Sequence, residues 1–593
     1  MATNNNWVAT SGSWFSIASN WSLSHVPTGD ETAMFSGNAY NCIVDQNVDC
    51  SGLIVSGTYA GAITATGYAF YINGNFMDDG TGNRNYGSGI IIRGFGTTLH
   101  LGSTLGTVTA SSCAITLGDA STDTITMDDD KGGTFKSWTI NGTVTSNGAA
   151  GSALTGTATL LTLGNNSTFT VNRAVSFIPT GSMTIFSVGT GVTWNGSANM
   201  PIYPNVGGGI TITIPAYTYS GTGSFSYYTA SNNMPVTYSL SGNINHGTSS
   251  LYFYAGNVTG SATVLNTNNY NITAGTYRHG SSTNTSSFTA SYGSSVVSIT
   301  LLDATHNSAS ATQTINLQTS QWTCTGNWAF GSNHTVNAGS SRVNINPTAN
   351  VNITSSNKAF ADLNFSGNSP LATGFFVDTP VISGNLGIYN GSSVNSSGLD
   401  ISITSGCYIT TSGRFSSSGI YTIGKDLTFG SGVTLNNSGM TLNLSGQTHT
   451  ITTNGRDFPY TKIYNNGTWV GSGTLSRLTI GGNTTQTFEA GKTYRFNTYT
   501  AQDWWGGGLS SQILFRSSSD GFQTTFYAPI NTITRYTDYK DINNLGVEID
   551  ASDGTSVDRG NNYGINFGGA IAHPRRHTDR QDDNLFIILK VYR

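Results

Sequence analysis

Residues 52–74 read GLIVSGTYAGAITATGYAFYING. Leu53, Ile54 and Val55 form a short apolar run that Gly57 ends. Ile63 and Ala65 follow before Gly67, then Phe70 and Ile72 before the Asn73–Gly74 turn. Side chains two apart share a face of an extended strand, and Gly or Asn between runs takes the positive φ of tight corners. The spacing predicts strand centres about every 8–10 residues. The beat carries on through Ile90 and Ile92, Leu99 and Leu101, Ile115 and Leu117, and Ile125 and Met127. It returns as ITITI at 210–214, RVNINPTANVNIT at 342–354, Ile401 and Ile403, Leu442 and Leu444, and Leu478 and Ile480. No long segment keeps apolar residues at helical spacing, so the expected class is all-β.

Short strands at this spacing form sandwiches, barrels or coils of stacked rungs. Hundreds of residues carry the pattern without a linker, which favours a parallel β-helix or β-solenoid; tandem β-sandwiches are the alternative. Three strand-and-turn units make a rung of roughly 24–30 residues. About 430 residues then make roughly 15–18 rungs, and about 4.8 Å per rung gives a stem of roughly 75–85 Å. Asn and Thr at equivalent positions are expected to form ladders between rungs. The expected division is an N-terminal Trp-rich cap over 1–50, solenoid repeats over 51–485, a C-terminal β-rich module over 486–567 and a tail over 568–593.

The chain has 593 residues, and only 9% are charged, against roughly a quarter in ordinary domains. Gly numbers 74 and Pro 12. A hydrophobic share of 37%, with 11% aromatic residues, argues against a disordered chain. The net charge is −5, and no Lys/Arg-rich face offers to neutralise phosphates, so nucleic-acid binding is not expected. No apolar run approaches a membrane span, and MATNNNWVATSGSW lacks the charged start and apolar centre of a secretory signal. Release by lysis or a signal-free route is expected to bring the protein outside a cell. Cys42, Cys50, Cys113, Cys324 and Cys407 have no C-x-x-C spacing and read as buried core residues. A local Cys42–Cys50 bridge is the alternative reading.

The ends differ from the middle. Residues 4–35 read NNNWVATSGSWFSIASNWSLSHVPTGDETAMF, with Trp7, Trp14 and Trp21 seven apart. An open rung exposes a core cross-section and unpaired backbone, so these rings are expected to cover it. Residues 488–496 read FEAGKTYRF, 513–521 ILFRSSSDG and 534–567 TRYTDYKDINNLGVEIDASDGTSVDRGNNYGINF. In the tail, His573, Arg575, Arg576, His577 and Arg580 form a basic cluster before the apolar run NLFIILKVYR. Arg575, Arg576, Phe586 and Ile588 are the candidate docking residues, for a partner or a second copy.

Both ends resemble β-repeat surface and virion proteins of bacteriophages and environmental bacteria. In those, W-x-G-x-G-x-W, N-W and V-P-x-x-x-D precede β-helix-like repeats. Trp7, Gly12, Trp14, Asn20, Trp21, Val26, Pro27 and Asp30 match in order; one glycine near Thr10 is missing, and the spacing from Pro27 to Asp30 is one shorter. At the other end, an RS-x-x-x-G element, a DV-x-D strand and GNN-x-W-x-F are similar to the segments above, with Tyr563 in place of Trp. The resemblance implies a β-rich surface or virion protein.

The chemistry of a catalytic site is not visible. Paired carboxylates hydrolyse glycosides, but Asp78–Asp79 and Asp128–Asp129–Asp130 are neighbours whose side chains point to opposite faces of a strand. They read as solvated turn acids. Asp550, Asp553 and Asp558 in IDASDGTSVDRGNN offer oxygens for calcium but miss the EF-hand spacing, so Asx turns are the first reading. No H-E-x-x-H, phosphate loop or nucleophile elbow appears, and no catalytic, cofactor or metal residue is assigned. Trp504 and Trp505, before three glycines in DWWGGG, are the candidate glycan contact; packing is the plainer reading. The expected function is non-enzymatic: a bacteriophage fibre, spike or surface appendage giving a rigid rod and adhesion to host-surface polysaccharide. Expected partners are other virion proteins and copies of itself, a trimer among the possibilities. A bacterial surface adhesin and a polysaccharide-degrading tailspike are the alternatives.

Overall fold

The computed structural model describes residues 2–568 except 38, 106–107, 206–208, 230–234, 256–261, 282–285, 306–312, 368–371, 411, 437–438, 498–503 and 530–531. Among the described residues every regular element is a β-strand apart from one 3₁₀ turn at Ala18–Asn20. The fold is a parallel β-solenoid of about 21 turns. It divides into two compact units, one covering residues up to 405 with 409–416, the other 406–408 with 417 onward.

In the first unit, strand Ala69–Ile72 lies parallel to Gly89–Ile92, which lies parallel to Ala114–Leu117, then to Ser137–Ile140 and Leu161–Leu163. The inward residues Phe70, Ile90, Ile115, Trp138 and Leu161 stack in register and are buried. Each such side chain removed from water contributes roughly 1.5–3 kcal/mol, so the apolar beat of the sequence becomes a continuous column. Along the sheets that follow, Ile212, Tyr238, Leu265, Ala290 and Ile315 align in the same way. Sandwich domains pair their strands mainly antiparallel. Among the described residues the named strands pair parallel, and the two antiparallel contacts are isolated bridges, Trp7 to Trp21 and Ser519 to Phe522. The tandem-sandwich alternative is therefore overturned.

Asparagine holds the corners. Asn41 Oδ1 accepts from the Ala62 N–H at 2.8 Å, Asn75 Oδ1 from Thr98 at 2.9 Å, Asn243 Oδ1 from Asn271 at 2.8 Å and Asn327 Oδ1 from Asn352 at 2.8 Å. Each bond ties one rung to the backbone of the next and satisfies a donor that the corner takes out of the ladder. Outward amides also meet directly, Asn337 to Asn316 at 2.7 Å and Asn364 to Asn344 at 3.0 Å. Where a corner needs positive φ beside a neighbouring carbonyl, only glycine fits. At Gly87, φ is +68° and a Cβ would lie 2.1 Å from the Tyr68 carbonyl oxygen.

The rung length departs from the expectation. Ile90, Ile115 and Trp138 align at steps of 25 and 23 residues, but Thr441, Tyr460 and Arg477 at steps of 19 and 17. The steps through Thr441, Tyr460 and Arg477 thus fall below the roughly 24–30 residues expected.

At the N-terminus, Trp7 and Trp21 are buried and meet edge to face at 5.2 Å, with Phe15 and Phe35 at 4.8 and 5.5 Å from Trp21. The Trp21 indole donates to the Phe15 carbonyl at 2.9 Å. Trp14 does not join them and is 49% exposed. Strand Ser13–Trp14 pairs in register with Cys42 and Ile43, and the alternation that buries Cys42 turns Trp14 and Ile43 outward. Two of the three indoles are thus buried and one is not. All five cysteines are buried free thiols, and burial raises Cys113 and Cys407 to about 12. The Cys42–Cys50 bridge is not formed.

In the second unit, the strands Ile420–Ile423, Thr441–Leu444, Asp457–Ile463, Gly473–Ile480, Thr493–Phe496, Thr524–Tyr527 and Ile542–Asn544 form consecutive rungs of one sheet. Another sheet carries Thr484–Phe488 onto Ile513–Ser517 and then Thr537–Lys540. The stretch expected as a separate module from 486 therefore continues the same parallel stacking. Its core is an aromatic pile: Trp469 on Phe488 at 5.5 Å and Phe515 on Tyr539 at 4.9 Å, with planes 11° and 6° apart. Arg575, Arg576, Phe586 and Ile588 lie outside the described residues.

Candidate functional site

The acids singled out in the sequence are divided between core and surface. Asp78 ends the strand Phe76–Asp78 with its carboxylate turned inward and buried. Arg84, six residues later, grips it through Nε at 2.6 Å and Nη2 at 3.0 Å, while Tyr86 donates at 3.1 Å and the Gly80 N–H at 3.1 Å. Burial pushes the Asp78 carboxyl above the usual carboxylate range, and the Arg84 guanidinium opposes that shift. Asp129 is enclosed in the same way. It accepts from Ser152 at 2.5 Å, from the backbone of Lys131, Gly132 and Gly133, and pairs with buried Arg173 at 3.1 Å. Burial lowers the Arg173 guanidinium, and the charge of Asp129 holds against it. The expectation of solvated turn acids is corrected for these two residues: alternation along the strand turns Asp78 and Asp129 into the core, where Arg84 from six residues on and Arg173 from 44 residues on meet them.

Their neighbours Asp79 and Asp128 face outward, and His100 joins them. Its Nε2 lies 3.0 Å from Asp79 and its Nδ1 3.2 Å from Asp128. His100 aligns with Asp128 across the pair formed by Phe95–Leu101 and Thr124–Asp129, so the three groups belong to successive rungs. Burial lowers the imidazole, but the hydrogen bonds and charges of Asp79 and Asp128 outweigh it and hold His100 above its ordinary value. Asp130 lies close by, with ligand atoms of His100, Asp128 and Asp130 within 4.8 Å of one another. Both ring nitrogens already face carboxylates, so the group acts as an ion clamp between rungs. The sequence reading missed His100 because it stands 21 and 28 residues from its partners, at no fixed period.

Trp504 and Trp505 part company. Trp504 is fully buried (0% exposed) against Phe496 at 4.9 Å and Phe515 at 5.2 Å. Trp505 is 60% exposed, donates to the Ile533 carbonyl at 3.3 Å and lies under the Arg535 guanidinium at 5.4 Å. Neighbours on the strand Trp504–Trp505 face opposite sides, so the two indoles do not form one platform, and Trp504 is removed as a ligand contact. Trp504→Ala is expected to cost about 3–5 kcal/mol, and Trp505→Ala under about 0.5 kcal/mol. Denaturant midpoints of the two variants check this.

Asp550, Asp553 and Asp558 each serve their own turn. Asp550 accepts from the Ser552 N–H at 3.0 Å, Asp553 from Thr555 at 3.0 Å and Asp558 from Gly560 at 2.8 Å. These are the Asx turns expected first. On the outside of the second unit, Gln447, Thr448, Asn465, Asn466 and Asn483 line a shallow polar groove of about 410 Å³. Its amides and hydroxyl offer both donors and acceptors, as a sugar's hydroxyls require. Among the described residues no helix is long and apolar enough to cross a membrane. No family model matches the chain, and no curated protein or solved structure does so.

Proposed function

We propose that the chain is a non-catalytic structural protein on the surface of a bacteriophage particle, a fibre, spike or appendage that adheres to host polysaccharide. The observation that supports it best is the use of its acids. Asp78 and Asp129 are sealed with arginines in the core, and Asp79 and Asp128 are spent on His100. These charges are taken up within the coil, and with only 9% of residues charged the outer faces carry mostly amides and hydroxyls. Such a surface makes many weak contacts, which several copies on one particle multiply by avidity. The resemblance of both chain ends to virion and surface β-repeat proteins points the same way.

Immunogold electron microscopy of purified particles tests the reading. Label on the particle surface is the expected result. Label confined to the bacterial envelope would assign the chain to a surface adhesin instead. Release of reducing ends from host capsule by the purified chain would make it a depolymerase.

A further inference from the structure

The groove of the second unit does not stand alone. Strand Asp457–Ile463 runs into Asn465 and Asn466 on one rung, and strand Gly473–Ile480 runs into Asn483 on the next. Immediately before the groove stands Tyr464, which is 50% exposed. Its neighbour on the next rung is Gly481, where a Cβ would come within 3.0 Å of the Tyr464 ring. Glycine there leaves the tyrosine its place at the rim.

Further along the same strands, Tyr460 aligns with Arg477 and Lys462 with Thr479. The Lys462 ammonium lies 5.1 Å from the Tyr460 ring centre, the Arg477 guanidinium 4.7 Å from it, and the Tyr460 hydroxyl meets Thr479 at 3.0 Å. Arg495, on the following rung, covers Tyr527 at 4.0 Å. Among the described residues neither Lys462 nor Arg495 makes an ion pair. Lys462 and Arg477 stand on the two strands that lead into the groove, three residues before Asn465 and six before Asn483.

We infer that this groove, with Tyr464, Lys462 and Arg477 along its approach, binds an acidic polysaccharide chain. The proposal rests on the adhesive reading above and names its ligand class. Amides and the Thr448 hydroxyl match the hydroxyls of a sugar, Tyr464 offers an apolar ring edge, and the cations match a carboxylate or sulfate. A single-stranded nucleic acid fits less well. It needs open aromatic faces for its bases, whereas Tyr460 and Tyr527 already carry cations over theirs.

The test uses the full chain immobilised on a biosensor, with polygalacturonate, heparin, dextran and oligothymidylate as probes. Binding to polygalacturonate or heparin, and not to dextran, is expected. Lys462→Gln with Arg477→Gln should weaken that binding by about tenfold or more, as the loss of two charge-assisted contacts implies. Lys462→Arg with Arg477→Lys should retain it, and equal unfolding midpoints show that each variant is folded. Unchanged affinity in the Gln variant, equal binding of dextran, or preference for oligothymidylate overturns the groove assignment. Particle labelling without binding of either acidic glycan removes the groove and leaves the virion reading. Groove-dependent binding without particle labelling does the reverse.

Discussion

Stability is expected to fall steeply as the pH drops from about 6.5 towards 4, at about 1.4 kcal/mol per pH unit for each of three buried histidines. His246, His279 and His334 are enclosed in the first unit, and burial lowers them to about 3, about 3 and about 4. His246 Nε2 shares a hydrogen bond with the Tyr217 hydroxyl at 2.6 Å in an enclosed site with no carboxylate among the described residues to pair a charge. His279 lies flat on Phe288 at 5.6 Å, and its ring centre is 6.0 Å from that of His334. A second charge in that space would meet the first. Below the ordinary imidazole value the unfolded chain takes up protons that the folded chain refuses. Stability is therefore full above pH 6.5 and is lost as the pH falls towards the folded values. Denaturant midpoints from pH 7.5 to 4 measure the slope.

Carboxylates titrate in the same window, so the comparison is with His279→Phe. Both ring nitrogens of His279 lack a hydrogen-bond partner among the described residues, and a phenyl ring keeps the stack on Phe288. The variant should be as stable as the parent or more so near neutrality, because it removes a buried polar group without a partner. It should also lose about a third of the histidine slope, or about 1.4 kcal/mol per pH unit. An unchanged pH profile in this variant would show that His279 is not buried as a neutral ring.

The second large effect is expected at the enclosed ion pairs. Asp129→Ala removes the partner of Arg173 and leaves a guanidinium in the core, where its side chain is 3% exposed. Ser152 and the Gly132 and Gly133 N–H groups lose their acceptor too. The expected loss is about 3–5 kcal/mol. Replacing both partners, as Asp129→Leu with Arg173→Met, should cost clearly less than Asp129→Ala alone, since no unpaired charge remains. The exposed pair Lys540–Asp520 is the contrast: Asp520 is 85% exposed, and Asp520→Ala should shift stability by under about 0.5 kcal/mol. Equal losses for Asp129→Ala and Asp520→Ala would mean that Asp129 is solvated.

The strands were largely legible. Ile210, Ile212 and Ile214 alternate with threonine because a pleated strand has two faces, and that rule needs no partner to apply. The burial of Trp7 and Trp21 was legible for a related reason: large aromatic rings in a short-strand chain are expected to pack away from water. The acids were not. Nothing local distinguishes Asp78 from Asp79, and the turn glycines beside both suggest solvent. Which of the two faces the core depends on the phase of the strand, and which arginine meets it depends on the coil.

By itself the amino-acid sequence determined that this protein is built of short strands with polar corners, since alternation and positive-φ turns are properties of neighbouring residues. The tertiary structure alone decided which rung lies on which. Rung lengths vary, so residues that touch stand 17, 21 or 28 positions apart with no constant period. Parallel ladders accept any loop length that returns the chain to register. For that reason the clamp at His100, the Asp129–Arg173 pair and the groove beside Lys462 arise from stacking and leave no local mark in the chain.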